Sequence, residues 1–174
     1  INMIRTSHYP DMPLFYELCD KYGFYVMTDA NNESHGYGIG NKTLGDNPDW
    51  TLGHVDRAIS MVQRDKNHPS VLFWSLGNEA GAGINSRIMA DTIRAMDPNR
   101  VVFYDSDRSV SDLYDDSYLS VERFKALADR ITDQPVIMRE YAHAMGNAGG
   151  NLQDYWDLFE SRSDIAGAAI WQWT

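Results

Sequence analysis

Glu79 stands in the run Leu76-Gly77-Asn78-Glu79-Ala80-Gly81, directly after an uncharged apolar stretch. Glu140 stands in Met138-Arg139-Glu140-Tyr141-Ala142-His143, at the end of another such stretch. Two carboxylates delivered by separate strand ends meet the demand of glycoside hydrolysis. One is protonated and donates to the leaving oxygen; the other is ionised and attacks the anomeric carbon. A separation of about 5–5.5 Å gives retention through a covalent intermediate, and about 6.5–9.5 Å admits a water and gives inversion. The plainer alternative has each glutamate capping the following helix or pairing with a nearby arginine.

Glu33-Ser34-His35 places a carboxylate and an imidazole two residues apart in an Asn- and Gly-rich stretch. Such a pair suits a divalent cation, but two ligands are too few to name the metal, and taken alone a solvated loop explains them better. His8 and His143 each follow a strand-like run closely, as ligands or as packed structural residues. Trp74, Trp171 and Trp173 lie in or beside strand-like runs and read mainly as core. A tryptophan at a strand end also offers a flat apolar platform for a sugar ring. Met61, Met89 and Met96 fall on helical patterns and read as core filler.

These residues need elements to hold them. Apolar runs at 3–8, 24–29, 71–76, 101–104, 136–140 and 165–173 read as strands, with a short strand before Tyr118. Helical spacing appears in Leu14, Phe15, Leu18, Cys19 and Tyr22, with Gly23 as the C-cap. It recurs in Leu52, Val55, Ile59 and Val62, then in Ile84, Ile88, Ile93 and Met96. Val121, Phe124, Leu127 and Ile131 give a fourth helix, and Leu152, Tyr155, Trp156 and Phe159 a fifth. About twenty residues ending near Trp50 read as a long loop, and 105–119 is polar and irregular.

Strands that are apolar throughout and alternate with helices predict a parallel sheet covered by helices, with about seven strands. The first strand ends in Ser7-His8-Tyr9-Pro10, without the glycines of a phosphate-binding turn. The polar residues gather past strand C-termini, as in a (β/α)8 barrel. The expected fold is therefore an α/β TIM barrel over residues 1–174, truncated, with strands 2 to 8 present and the first βα unit missing.

The chain has 174 residues and a net charge of −10, with 43% apolar and 23% charged residues. That composition suits a folded domain rather than a disordered chain. So acidic a surface repels phosphates, which argues against nucleic acid and anionic membranes as partners. No run approaches the roughly 18 apolar residues of a membrane helix. Cys19 alone excludes an internal disulfide and leaves the compartment open. Both ends lie inside strand-like runs, which reads as a piece of a larger protein.

Four motifs carry a resemblance. They are Arg5-Thr6-Ser7-His8-Tyr9-Pro10, Asn31-Asn32-Glu33-Ser34-His35-Gly36, Asn67-His68-Pro69-Ser70-Val71 with Trp74-Ser75-Leu76-Gly77-Asn78-Glu79, and Glu140-Tyr141-Ala142-His143-Ala144-Met145-Gly146-Asn147. In this order they resemble the catalytic barrel of glycoside hydrolase family 2, and the last resembles its β-galactosidase branch. The resemblance implies a retaining exo-hydrolase acting on terminal β-D-galactose. It assigns Glu79 as acid/base, Glu140 as nucleophile and Tyr118 as a tyrosine bonded to that nucleophile. Asn78 matches the residue at the sugar 2-hydroxyl, His8 and His143 match galactose-binding histidines, and Trp171 matches the floor of the sugar site. Glu33, His35 and Glu79 match magnesium ligands; Na⁺ is left to residues outside this stretch. Expected partners are a β-galactoside oligosaccharide or polysaccharide, accessory β-domains of the parent chain, and further copies in a homo-oligomer. The compartment is open between bacterial cytoplasm and periplasm.

Three departures from the family pattern stand out. Thr28-Asp29-Ala30-Asn31 replaces the usual acidic pair, Leu113-Tyr114-Asp115-Asp116-Ser117 is unusually acidic, and Arg139 stands where a small residue is common. They suggest altered pocket charge and a modified, for example sulfated, galactoside. A β-glucuronidase or β-mannosidase of the same family is a further alternative; the glucuronidases share the Ser7–Pro10 stretch, but the run from Glu140 to Asn147 argues against them. An inactive carbohydrate-binding barrel should have lost a carboxylate, and both are present.

Overall fold

The computed structural model describes residues 1–146 and 149–173. Asn147, which closes the last motif, and Thr174 lie outside the described residues. The chain forms two compact units, Ile1–Ser111 and Asp112–Thr174.

The first unit holds β1 (Met3–Thr6), α1 (Pro13–Tyr22), β2 (Tyr25–Asp29), α2 (Thr51–Asp65), β3 (Val71–Ser75), α3 (Ile84–Met96) and β4 (Val101–Phe103). Its four strands pair in chain order, all parallel. The register sets Thr6 beside Thr28, Asp29 beside Ser75, and Ser75 beside Phe103, so the strand C-termini lie level along one edge. The core joins Val26, Val71, Trp74 and Val102 to Tyr16, Met61, Met89 and Ile93 of the helices. Trp74 is fully buried; its indole N–H donates to Asp97 (3.1 Å), and the Arg100 guanidinium lies 5.6 Å from its ring.

The second unit holds β5 (Tyr114–Asp115), α4 (Val121–Arg130), β6 (Val136–Tyr141), α5 (Leu152–Glu160) and β7 (Ile165–Ile170). The order β5-β6-β7 is again parallel. Ser120 caps α4 by accepting the Arg123 N–H. Phe124, Leu127, Val136, Met138, Tyr141 and Leu158 form its core. Parallel βα units in both halves are those of a TIM barrel. No helix among the described residues is long and apolar enough to cross a membrane.

All five helices fall where their spacing predicts, yet in three of them the buried face differs from the apolar stripe. In α2, Leu52 is 84% exposed while His54, Ala58, Met61, Val62 and Asp65 are buried. His54 and Asp65 tolerate burial because they are partnered: the first through its Nδ1 with the Trp50 carbonyl, the second by a bidentate pair with Arg64. In α1, Leu14, Leu18 and Tyr22 are exposed, and Tyr16 and Cys19 face inward. In α3, Ile84 is exposed and Asn85 buried; the Asn85 amide donates to Leu44 and Asn47 carbonyls. The final strand ends at Ile170, and Trp173 is 78% exposed rather than core. The predicted loop before Trp50 contains two 3-10 turns, His35–Tyr37 and Pro48–Trp50.

Candidate functional site

The first unit organises its strand ends around Asp29, the last residue of β2 and wholly buried. Arg5, near the end of β1, donates to both of its oxygens (3.3 and 2.8 Å). His8 Nδ1 lies 2.9 Å from Asp29 Oδ2. The same nitrogen lies 3.2 Å from Arg5 Nη2, so the imidazole sits against both members of the Arg5–Asp29 pair. Burial alone pushes the Asp29 carboxyl up; the Arg5 charge and the His8 bond outweigh it and hold it below the usual carboxylate range. Arg5 also donates to Asn78 Oδ1 (3.1 Å), and Asn78 Nδ2 donates to Glu33 Oε1 (3.2 Å). Five strand-end or loop residues, Asp29, Arg5, His8, Asn78 and Glu33, are thus joined in one chain of contacts. Asp29 is therefore no charge offered to a substrate, contrary to the altered-pocket reading of that departure.

Asp29→Asn should destabilise the protein by about 3–5 kcal/mol at neutral pH, since it leaves Arg5 buried without its counter-charge. The native carboxyl ionises more readily than the unfolded one. Its stabilisation is therefore complete above about pH 3.9 and is lost as the pH falls through the lower native value. Denaturant midpoints of wild type and variant should converge as the pH falls through that range; a gap that stays constant would contradict the assignment.

Glu33, His35 and Glu79 come together as the resemblance implies, each offering a ligand atom within 4.8 Å of the others. His35 Nδ1 lies 3.4 Å from Glu79 Oε2. A backbone bridge between Glu33 and Asn78 brings the loop onto the end of β3, and the Asn78 N–H donates to the Asn32 carbonyl (2.9 Å). Glu79 adopts a left-handed backbone (φ 45°), and its N–H reaches both Asp105 oxygens (3.3 and 3.2 Å). Glycine is required beside it. A Cβ at Gly77 would lie 2.2 Å from the Asn32 carbonyl oxygen, and one at Gly81 would lie 1.5 Å from that of Asn41. Two carboxylates and an imidazole, partly open to solvent, fit a divalent cation that keeps water ligands.

The second unit holds the other carboxylate. Glu140 is buried on β6, and the Tyr118 hydroxyl donates to its Oε2 (2.6 Å). The Tyr118 N–H also donates to the Glu140 carbonyl (2.9 Å), tying the tyrosine to the nucleophile candidate through main chain and side chain alike. His143 packs edge-on against Tyr118, with ring centroids 5.4 Å apart. Tyr118, His143, Asn151 and Tyr155 line a cavity of about 420 Å³. Trp171 is half-buried just past β7, its N–H on the Tyr141 carbonyl (2.9 Å). Asp115 and Arg139 form a buried ion pair, while Asp116 is exposed.

Sequence reasoning assigned no role to Arg5, Asp105 or Asn85. Arg5 lay inside a quoted motif, and Asp105 follows β4 closely, so the strand-end rule could have found both. Nothing in the sequence distinguishes Asn85 from a surface asparagine.

Parallel βα units that present carboxylates, imidazoles and amides at successive strand C-termini define a TIM-barrel domain with its site on that edge. Residues 1–174 match, along their whole length, the family described as glycosyl hydrolases family 2, TIM barrel domain, and the chain belongs to that family. It is 40% identical over 187 aligned residues to proteins named beta-galactosidase from Vibrio cholerae, Enterobacter cloacae and Priestia megaterium. Each alignment covers 99% of this chain and 18% of the relative, so the chain spans under a fifth of their length. Among solved structures, a beta-glucuronidase from Faecalibacterium prausnitzii aligns with TM-score 0.69 and 24% identity, covering 98% of this chain and 36% of that one. One from Ruminococcus gnavus aligns with TM-score 0.74 and 18% identity, over 98% and 38%. At these identities the likeness is one of fold.

Proposed function

We propose that the chain is the catalytic barrel domain of a retaining, exo-acting β-galactosidase. The observation that carries the reading is Glu140, buried at a strand end and held by the Tyr118 hydroxyl. The names of the 40%-identical relatives support galactose as the sugar.

In this reading Glu79 donates its proton to the glycosidic oxygen as a Glu140 oxygen attacks C1. The C1–O bond breaks, the leaving group departs as an alcohol, and a glycosyl ester forms on Glu140. Glu79, now a carboxylate, takes a proton from water; the water oxygen attacks C1 and releases Glu140. Two inversions give net retention. Asn78 bonds the sugar 2-hydroxyl, with its own amide oriented by Arg5 and Glu33. His8 and His143 contact the galactose, and Trp171 stacks beneath it.

Glu33, His35 and Glu79 would hold Mg²⁺, and a bound ion would supply fixed positive charge at Glu79. His35→Ala should weaken Mg²⁺ binding by at least about tenfold, read by titration calorimetry of the metal-stripped protein. Unchanged binding would remove His35 from the ligand set.

A panel of nitrophenyl glycosides on the full-length protein tests the function, with proton NMR following the first-formed anomer. Release from the β-galactoside with β-galactose formed first is the expected result. Preference for the β-glucuronide, or α-galactose formed first, would overturn the sugar or the mechanism respectively.

A further inference from the structure

Pairing of β4 with β3 sets Phe103 beside Ser75, and the Leu76 N–H donates to the Phe103 carbonyl (3.0 Å). The two residues after β4, Tyr104 and Asp105, therefore reach the segment after β3. Asp105 takes the Glu79 N–H on both oxygens (3.3 and 3.2 Å), and the Ser106 hydroxyl on Oδ2 (3.1 Å). Tyr104 is buried. Its hydroxyl donates to the Gly81 carbonyl (2.6 Å), and its own N–H donates to Ser111 Oγ (3.1 Å). Two consecutive residues at one strand end thus grip the segment from Glu79 to Gly81 at both of its ends.

The segment needs such a grip. Glu79 carries a Cβ yet sits at φ 45°, a left-handed backbone that is unfavourable for any residue but glycine and persists only where the surroundings enforce it. The Asn78 N–H is fixed on the Asn32 carbonyl, and Gly81 approaches Asn41 too closely for a Cβ. The Glu79 N–H is the next group along, and its direction is tied to φ of that residue. Relaxing φ to an ordinary negative value turns the N–H and the Cα–Cβ bond relative to each other. The carboxyl then leaves its place 3.4 Å from His35 Nδ1, or the N–H leaves Asp105.

We propose that Asp105 is a positioning residue for Glu79, acting through the Glu79 backbone N–H, with Tyr104 holding the far end of the same segment. What Asp105 supplies is a fixed acceptor. An amide oxygen supplies one too; a hydrocarbon side chain of the same size does not.

The inference rests on Glu79 being the acid/base, and the test separates the two. The full-length protein and its variants hydrolyse aryl β-galactosides of graded leaving-group basicity, from dinitrophenyl to phenyl, with excess Mg²⁺ throughout. kcat/KM reports the first chemical step, and thermal midpoints are recorded alongside. Asp105→Leu should lower kcat/KM for the phenyl galactoside by roughly 10- to 100-fold, the scale of a displaced general acid. The dinitrophenyl galactoside, whose leaving group needs no proton, should stay within about threefold. Asp105→Asn should keep the wild-type dependence on leaving group. A merely structural role would cost all substrates alike, so an even loss in Asp105→Leu, or none, would overturn the proposal. So would an Asp105→Asn variant as selective as Asp105→Leu, since the charge and not the acceptor would then matter. Should Asp105→Leu fail to fold, Tyr104→Phe decides: it keeps the ring, and should cost the phenyl galactoside about three- to tenfold more than the dinitrophenyl one. Equal rates on both would sink the idea. Glu79→Ala in the same series isolates the underlying reading. An even loss there removes the acid/base assignment and this inference with it; a selective loss there beside an even one in Asp105→Leu removes the inference alone.

Discussion

Glu140→Gln should lower kcat/KM for a nitrophenyl β-galactoside by about 10⁴-fold or more, the scale seen when a residue that forms the covalent intermediate is removed. The substitution changes little else. Glutamine keeps the volume of the buried side chain, and its carbonyl oxygen still accepts the Tyr118 hydroxyl. It loses the charge and the nucleophilic oxygen, because the amide delocalises the lone pair it would need. The expected pattern is a collapsed kcat, substrate binding of ordinary strength by calorimetry, and an unchanged thermal midpoint to within a few degrees. Activity within tenfold of wild type would exclude Glu140 as nucleophile.

Glu79→Ala should show a different signature. Losing a general acid costs about 10²–10⁴-fold where the leaving oxygen needs its proton. A dinitrophenolate leaves without protonation, so the first step should be nearly normal for that substrate. Hydrolysis of the glycosyl-enzyme then limits turnover, since no base activates water. Azide, which attacks C1 without a base and is small enough for the vacated space, should restore turnover and give the β-azide. Glu79 also belongs to the Glu33–His35–Glu79 cluster proposed to hold Mg²⁺, so the series is run with excess Mg²⁺ to separate the two roles. Equal losses across good and poor leaving groups would contradict the acid/base assignment.

The sequence made the elements legible where burial is simple. Val71 through Ser75 is continuously apolar up to its last residue because a parallel strand covered by helices is shielded on both faces. The helices were legible in position but not always in orientation. Leu52 belongs to the apolar stripe of α2 yet is exposed, whereas Asp65 is polar yet buried, because Arg64 satisfies both of its oxygens. Periodicity counts residue types and is blind to partners. The site followed the same division. Glu79 and Glu140 were visible because each ends an apolar run. Asp29 was misread as pocket charge because its partner, Arg5, lies on the neighbouring strand. Arg139 looked like an isolated oddity until β5 paired with β6 and brought Asp115 beside it.

The bare backbone at Gly77 and Gly81 carries a consequence for how this domain can diversify. No side chain fits at either position without parting the β3 segment from the segment that carries Glu33 and His35. Mutational drift there is closed, and a saturation library across 77–81 should return glycine at both positions among its active members. Gly36, in the exposed turn beside His35, is different: a Cβ there meets nothing within 4 Å. New side chains can be sampled at that turn while the backbone around Glu79 stays as it is. Adaptation to new leaving groups is therefore open at Gly36 and closed at Gly77 and Gly81.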